Sequence, residues 1–226
     1  IKRRLEQEKI DSQYLTVSKE WKTGFMLKGL AANGRPATDY YRKGSAAAHI
    51  SLEKLDQVDF NGVKILHLGG ILAGLSEAGY QATLHLIKRA REHQVQITFD
   101  PNLRPTIWES EELMIERTNE IAKLCDVVMP NIKEGGILTG EKDVQAMADF
   151  YLKQGVKQVI INMVENGSYS KRMDEQHQVH EERMPELKPD QIVDRVGAGD
   201  GFVAGVFSGK LESLNAVSYT HLTLPP

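Results

Sequence analysis

From Val63 onward, the sequence alternates between short apolar runs and longer amphipathic segments, and this alternation constrains the fold more than any other feature. The short runs have the length and β-branched content of buried strands, and they predict strands at residues 63–68, 95–99, 126–129 and 158–162. The longer segments have helical spacing, and they predict a helix capped by Ser76 and others at 109–124, at 144–154 and from about Ala198. Such alternation predicts a three-layer α/β/α sandwich with a mostly parallel sheet, which binds ligands at the carboxyl ends of its strands.

The region before Val63 has a different pattern, in which two strand-like runs flank a turn. Residues 23–30 and 38–42 enclose a segment whose Asn33-Gly34 pair is a strong signal for a hairpin. We therefore expect residues 14–45 to form a small β lid that contributes to the substrate site. The end of a helix at residues 1–13 precedes it, and the α/β domain at 46–216 follows it.

The two ends of the chain have unusual sequences. The chain begins within a helical pattern and without Met, and we interpret its start as a truncated helix. Residues 217–226 resemble the translation of a transposon-type sequencing adapter, although a loop after the preceding helix is the alternative. We interpret these ten residues as an artefact and leave them out of the fold prediction.

Composition excludes several classes of function. The chain has 28 Lys and Arg against 31 Asp and Glu, a net charge of -3, which argues against a nucleic-acid partner because such proteins present a basic face. No apolar run reaches the roughly 20 residues of a membrane span, and no signal peptide is visible. Cys125 is the only cysteine, so an internal disulfide is impossible and a reducing cytoplasmic location is expected.

The segment around Gly197, Ala198 and Gly199 carries the clearest chemical signal. Glycines at the start of a helix let backbone N–H groups approach an anion, and the positive helix end stabilises charge on a transferring phosphoryl group. Asp200 would lie in the first turn, where a carboxylate can accept the proton of a substrate hydroxyl. The alternative is a glycine-rich turn in which Asp200 serves only as a favourable charge at the helix start.

Gly197-Ala198-Gly199-Asp200 followed by Phe202 resembles the C-terminal signature of the PfkB, or ribokinase-like, carbohydrate kinases. The resemblance implies the ribokinase-like fold, with Gly197, Ala198 and Gly199 as the anion hole and Asp200 as the catalytic base. It also implies ATP and Mg²⁺ as cofactors. It extends from about Leu5 to Leu211, without the family's N-terminal strands and without the C-terminal piece that completes the adenine pocket.

Two further segments resemble nucleotide-site motifs of the same family. Asn131-Ile132-Lys133-Glu134 is similar to its Asn-x-x-Glu motif, which implies that Asn131 and Glu134 organise Mg²⁺ and phosphate. Residues 162–167 stand at the nucleotide loop, which implies nucleotide contacts for Asn162, Glu165 and Gly167. Relatives usually show a glycine where this chain has Val164, and a β-branched residue is unfavourable if that position needs a positive φ.

Residues 99–105 and 40–46 resemble the 2-keto-3-deoxygluconate kinases within this family. A sugar acid carries a carboxylate, which an arginine fork binds with two hydrogen bonds. The resemblance implies that Arg104 binds this carboxylate, supported by Arg42, Tyr41, Tyr40 and Asn102, and that the phosphate goes to the 6-hydroxyl. A strand-end ion pair is the alternative for Arg104, and packing within the lid is the alternative for Tyr40.

Other interpretations of the chain remain open at this point. A kinase of 5-keto-2-deoxygluconate, fructose or ribose is the enzymatic alternative, and a non-catalytic sugar-acid-binding module or inactive fragment is the alternative from another class. A homodimer through the lid is expected because lid sheets expose edges and apolar faces. His177 to Glu182 match no zinc motif and are interpreted as a solvated strand or loop. Cys125 is interpreted as a buried thiol at a helix end.

Overall fold

The computed structural model describes residues 1–30, 36–174, 176–185 and 197–212. The chain forms two compact units, one built from residues 1–96 and 103–117 and the other from residues 97–102 and 118–226. The predicted turn at 31–35 and the interpreted artefact at 217–226 lie outside the described residues.

The first unit holds a β hairpin, one further strand and several helices. Its strands are β1 (Phe25–Leu30), β2 (Pro36–Tyr41) and β3 (Ile65–Gly69), and its helices are α1 (Lys2–Gln7), α2 (Leu52–Leu55), α3 (Ile71–Leu75) and α4 (Glu77–Glu92). Short 3₁₀ turns span Ala46–His49 and Pro105–Ile107. The backbone N–H of Gln96 donates to the carbonyl of Lys64 at 3.1 Å, which joins the segment before β3 to the start of the next strand.

The predicted hairpin is confirmed. Strands β1 and β2 are antiparallel, with Phe25 opposite Tyr41 and Leu30 opposite Pro36. The rings of Phe25 and Tyr41 stack with centroids 4.8 Å apart, as expected for a facing aromatic pair on one side of a sheet.

Helix α4 begins where its capping residue predicts. The Ser76 hydroxyl accepts a hydrogen bond from the Gly79 N–H at 3.0 Å, and Ala82, Ile87 and Ala90 form the buried stripe. Gly79 is required for packing, since a Cβ there would lie 2.2 Å from the Leu72 carbonyl oxygen.

The expectation of a fully buried strand at 63–68 is wrong. Val63 and Lys64 precede β3 and are exposed, and within the strand only Leu68 is buried while His67 and Gly69 are exposed. Strand β3 is covered far less than β6, whose first four residues are buried. An apolar run therefore does not by itself predict burial.

The second unit is built on a mixed sheet. Strands β4 (Gln96–Asp100), β5 (Val127–Val128) and β6 (Gln158–Asn162) are parallel, with Thr98 opposite Val127 and Val127 opposite Gln158. Strands β7 (Ser168–Met173) and β8 (Val179–Met184) continue the sheet antiparallel. The connecting helices are α5 (Glu111–Ala122), which enters from the first unit, α6 (Ile132–Thr139), α7 (Val144–Leu152) and α8 (Ala198–Leu211).

The β7–β8 hairpin was not among the predicted elements. His177 lies in its turn and His180 in β8, which confirms the interpretation of this segment as a solvated strand or loop. His180 Nε2 pairs with the Asp174 carboxylate at 2.7 Å. Cys125 is buried and its thiol donates to the Ile121 carbonyl, as interpreted from the sequence.

Helix α8 packs on the parallel strands through a compact apolar cluster. Val203 and Val206 contact Val127, Met129 and Ile160, with Phe202 and Phe207 at the margin. The helix therefore has a fixed position beside β5 and β6. No helix among the described residues is long and apolar enough to cross a membrane.

Candidate functional site

The start of helix α8 has the backbone that the glycine segment predicts. Gly197 is the N-cap residue with φ 81°, a left-handed conformation that glycine adopts without strain, and its carbonyl accepts from the Gly201 N–H at 2.8 Å. Asp200 is the third residue of the helix, and all four residues from Gly197 to Asp200 are exposed. The first N–H groups of a helix have no partner within it, so this end is suited to bind an anion.

The direction of α8 determines which strands its N-terminus approaches. At its other end, Lys210 Nζ donates to Gln158 Oε1 at 2.7 Å, and Gln158 is the first residue of β6. The ten residues from Asp200 to Lys210 span about 15 Å of helix. The five residues of β6 span a similar length, about 13 Å, so Asp200 lies near the carboxyl end of β6.

The carboxyl ends of β5 and β6 carry two of the predicted nucleotide residues. Asn131 and Asn162 pair through an isolated parallel bridge, and the Asn162 N–H donates to the Pro130 carbonyl at 3.0 Å. The fold thus brings Asn131, Asn162 and the start of α8 to one edge of the same sheet. This is the edge at which parallel α/β sheets bind ligands.

Asn131 and Glu134 form a complete capping box at the start of α6. Asn131 Oδ1 accepts from the N–H groups of Lys133 and Glu134, both at 3.0 Å, and Glu134 Oε2 accepts from the Asn131 N–H at 3.0 Å. Glu134 is buried, and burial of the Tyr151 phenol, together with the charge of Glu134, raises the pKa of Tyr151. Two of the predicted metal-binding oxygens therefore already accept backbone hydrogen bonds.

The predicted nucleotide loop follows β6 as a closed turn. Asn162 Oδ1 accepts from the Val164 N–H at 2.8 Å, and the Met163 N–H donates to the Gly167 carbonyl at 2.8 Å. Gly167 has φ 80° and Val164 has φ 56°. Val164 therefore adopts the positive φ that is unfavourable for a β-branched residue. Glu165 is exposed on the same loop.

We expect Val164→Gly to stabilise the protein. A left-handed conformation costs a residue with a Cβ about 1–2 kcal/mol, whereas the extra chain entropy of glycine costs about 0.5–1 kcal/mol. The Val164 side chain is half exposed, so little burial is lost. The free energy of unfolding in urea should therefore rise by up to about 1 kcal/mol.

A matched control is Val179→Gly, which removes an equally exposed valine from strand β8. Val179 is not among the residues with positive φ, so glycine there gives no relief of strain and should destabilise the protein. Equal losses of stability in both variants would contradict the strain at Val164.

A cavity of about 950 Å³ lies entirely within the first unit. It is lined by the segment before β1, by the end of β2 with the loop after it, and by the turn at Pro105–Ile107. It brings together the predicted substrate residues Tyr40, Tyr41 and Arg42, and the Arg42 guanidinium lies 4.8 Å from the centre of the Tyr40 ring. Its charged lining residues are Glu20, Asp39, Lys22, Arg42 and Lys43, an excess of one positive charge.

Arg104 and Asn102 are not lining residues of this cavity. Arg104 lies two residues before Thr106, which does line it. Arg104 Nη1 donates to the Leu103 carbonyl at 2.7 Å, and its buried Nε has no hydrogen-bond partner among the described residues. Asn102 has φ 42°, and its N–H donates to Asp100 Oδ1 at 3.0 Å, so the backbone after β4 turns sharply.

Sequence reasoning missed the cavity residues that precede β1, which include Trp21, Lys22 and Thr23. The available signal in the sequence was a tryptophan within a polar segment. That signal is weak, because it does not say which other residues the ring meets.

Comparisons with known proteins show the family to which the sequence is similar. A sequence profile described as "pfkB family carbohydrate kinase" matches residues 1–218. The chain is 37% identical over 216 residues to the 2-dehydro-3-deoxygluconokinase of Bacillus subtilis (strain 168). That alignment covers 95% of this chain and 65% of the relative, so the chain spans just under two thirds of its length.

Solved structures show the same fold. A PfkB protein from Polaromonas sp. JS666 matches with a TM-score of 0.84 and 32% identity, over 96% of this chain and 70% of that one. A fructokinase from Vibrio cholerae O395, solved with fructose, ADP and a calcium ion, matches with a TM-score of 0.76 and 22% identity, over 91% of this chain and 64% of that one. The predicted ribokinase-like α/β fold is therefore confirmed, and with the profile match over nearly the whole chain it establishes that this protein belongs to the pfkB family of carbohydrate kinases.

Proposed function

We propose that the complete protein transfers the γ-phosphate of ATP to the 6-hydroxyl of 2-keto-3-deoxygluconate in the cytoplasm. The observation that carries this proposal is the exposed, glycine-opened start of α8, with Asp200 in its first turn beside the strand ends that carry Asn131 and Asn162. The 37% identical Bacillus relative is named 2-dehydro-3-deoxygluconokinase, which is a kinase of the same sugar acid. Cys125 is the single cysteine of the sequence and is buried, which fits a reducing compartment.

In this proposal the residues of α8 have two tasks. The backbone N–H groups at Gly197–Gly199 and the positive helix end stabilise the charge on the transferring phosphoryl group. Asp200 accepts the proton of the acceptor hydroxyl, and its exposure leaves it accessible to that hydroxyl. The helix is anchored on β5 and β6 by Val203 and Val206, so both tasks are performed by a rigid element.

The side-chain oxygens of Asn131 and Glu134 fit a magnesium ion that is held mostly by phosphate and water. Magnesium, when bound, neutralises charge on the phosphate oxygens, and it usually keeps several waters in protein sites. No group of three or more His, Cys, Asp or Glu able to hold a metal occurs among the described residues. Since Asn131 Oδ1 and Glu134 Oε2 already accept backbone N–H groups, we assign them contacts through bound water.

Two features support an acid as the acceptor. The cavity lining has more basic than acidic side chains, with Arg42 positioned by the Tyr40 ring. The buried Nε of Arg104 lacks a partner among the described residues, and such a donor is costly unless an acceptor reaches it. A substrate carboxylate is an acceptor of the required charge, and Asn102 is assigned a supporting contact.

Two alternatives make different predictions. A neutral acceptor, fructose or ribose, is favoured by the likeness to the fructokinase solved with fructose and ADP, and 5-keto-2-deoxygluconate is the alternative acid. A non-catalytic sugar-acid-binding module is favoured by Val164, because a valine in a strained conformation stands where the nucleotide loop usually has a glycine.

The deciding experiment uses the full-length protein expressed from the parent gene with its own ends. ATP-dependent phosphorylation is measured with 2-keto-3-deoxygluconate, 5-keto-2-deoxygluconate, fructose and ribose in parallel. Selectivity for 2-keto-3-deoxygluconate is expected. Selectivity for fructose or ribose would overturn the assigned substrate, and binding of the sugar acid without turnover of any acceptor would favour the binding module.

We also propose that the β1–β2 hairpin joins two copies of this protein. Phe25, Leu27 and Tyr41 are each more than half exposed and lie on one face of the hairpin. A contiguous apolar face of this kind is unusual on a monomer and favours burial against a partner. A second copy is the partner we propose, since a two-stranded sheet also leaves unpaired edges for self-association.

Leu27→Lys tests this interface because Leu27 does not line the cavity. A lysine at this position of the face is expected to shift the mass in solution, measured by light scattering, from dimer towards monomer. Leu52→Lys is the control, since Leu52 is similarly exposed but lies in α2. A monomeric parent protein, or a variant that stays dimeric, would refute the interface.

A further inference from the structure

The cavity of the first unit contains an aromatic ring that is already stacked on one side. Trp21 lines the cavity and lies against His49, with ring centroids 3.6 Å apart and planes inclined by 6°. Nearly parallel rings at this distance are in van der Waals contact, so the imidazole covers part of one face of the indole. Trp21 is nevertheless 44% exposed, so substantial ring surface remains uncovered.

His49 is held in place by the backbone behind it. Its Nδ1 lies 3.0 Å from the Ser45 carbonyl, which can only accept, so Nδ1 carries the proton. The Ala48 N–H also donates to the Ser45 carbonyl, at 2.9 Å, and the Ala48 carbonyl accepts from the Ser76 hydroxyl at 2.6 Å. Ser76 caps α4, so the imidazole is supported by a chain of hydrogen bonds that ends at a long helix.

The backbone of Trp21 is fixed at both sides. Its N–H donates to the Ser18 hydroxyl at 2.9 Å, and the carbonyl of the next residue, Lys22, accepts from the Ala46 N–H at 2.8 Å. The position of the ring is therefore set before any ligand arrives. Pre-set groups bind more tightly because little side-chain freedom is lost on binding.

We propose that the uncovered face of Trp21 is a platform on which the carbon chain of the acceptor sugar acid packs. This inference rests on the proposed function and adds a specificity residue to it. The face of an aromatic ring is electron-rich and attracts the weakly positive C–H groups of a sugar, while Arg42 in the same cavity attracts the carboxylate. Binding sites commonly combine an apolar aromatic surface with a few polar groups in this way.

The platform holds the acceptor before and during the reaction to a similar extent. An interaction of equal strength in the ground state and the transition state changes KM and leaves kcat unchanged. Trp21→Ala is therefore expected to raise KM for the sugar acid about tenfold, while Trp21→Phe, which keeps an aromatic face, stays close to the parent. Tyr14→Ala is the matched control, because Tyr14 is equally exposed but lies outside the cavity lining.

A binding measurement without ATP tests the platform separately from catalysis. The chain has two tryptophans, and Trp108 is buried. Titration of the full-length protein with 2-keto-3-deoxygluconate is expected to change tryptophan fluorescence saturably, and Trp21→Phe is expected to abolish this change. A saturable change that persists in Trp21→Phe would come from another tryptophan of the full-length protein and would overturn the inference.

The kinetic measurement and the binding measurement together distinguish failure of the platform from failure of the proposed function. Turnover of the sugar acid with KM unchanged in Trp21→Ala, or with only kcat lowered, overturns the platform and leaves the kinase assignment intact. Absence of turnover with every acceptor overturns the kinase assignment. In that case a Trp21-dependent fluorescence change still supports the platform in a binding module, and absence of the change overturns it.

Discussion

Replacing Asp200 with Asn in the full-length protein is expected to lower kcat by about 10²–10⁴-fold, the usual contribution of general acid–base catalysis. Asparagine has nearly the shape of aspartate but cannot take up the proton of the acceptor hydroxyl. ATP affinity should change little, because the backbone N–H groups at Gly197–Gly199 are unaltered. Initial rates at saturating acceptor, with ATP binding measured by calorimetry, distinguish these effects.

The fold should survive this substitution. A carboxylate in the first turn of a helix contributes about 0.3–1 kcal/mol through the helix dipole, which is small beside the stability of a domain. Asp200 is exposed, so no buried contact is lost. A melting temperature within a few degrees of the parent would therefore show that the loss of rate is chemical.

Glu111→Gln is the matched control for Asp200→Asn. Glu111 also lies exposed in the first turn of a helix, α5, so its loss has the same effect on a helix dipole without touching the site. Its kcat should equal that of the parent. Near-normal turnover in Asp200→Asn would remove Asp200 as the base and leave the helix-start charge as its only role.

The sequence predicts best where a local signal coincides with a tertiary one. Helix α8 begins at Ala198 because Gly197 is the residue that tolerates φ 81°, and β6 spans residues 158–162 as its uninterrupted apolar run predicts. Ser76 caps α4 through a hydrogen bond that depends only on neighbouring residues. Such signals need no knowledge of the rest of the fold.

Features that depend on distant contacts were not predictable. Strand β3 is apolar at three of its five positions, as β6 is, but only Leu68 of β3 is buried. The cavity joins Trp21, Arg42 and Thr106, which are far apart in sequence, and Trp21 acquires its position from His49. Sequence patterns record the period of an element and give no information on which elements meet.

Asn131 and Glu134 show that one motif can satisfy two requirements. An N-cap residue with Glu three positions later is the signature of a capping box, and both hydrogen bonds of that box are present. The same spacing was interpreted from the sequence as part of a nucleotide site. The capping box holds both side chains in fixed positions at the end of β5, so the structural role supports the proposed contacts to hydrated magnesium.

Replacing Arg104 with Met is expected to raise KM for 2-keto-3-deoxygluconate by about 30-fold or more, roughly 2 kcal/mol, the lower range for losing one member of a buried charge pair. Its Nε is a buried donor without a partner among the described residues, so the substitution removes little that stabilises the free protein. Within the part of the chain that the structure describes, the guanidinium donates to the Leu103 carbonyl at 2.7 Å. Melting temperature should therefore change far less than KM.

The distinguishing comparison is between acid and neutral acceptors in the same variants. If Arg104 binds the carboxylate, Arg104→Met should raise KM for 2-keto-3-deoxygluconate. Any residual phosphorylation of fructose should keep the KM of the parent. Arg104→Lys keeps the charge but lacks the fork that pairs with both carboxylate oxygens. Its KM for 2-keto-3-deoxygluconate should therefore lie between the KM of the parent and that of Arg104→Met. Arg3→Met, which removes an exposed arginine from α1, should behave as the parent. Equal losses with both acceptors would mean that Arg104 supports the structure after β4, because a carboxylate ligand cannot affect a substrate that has no carboxylate.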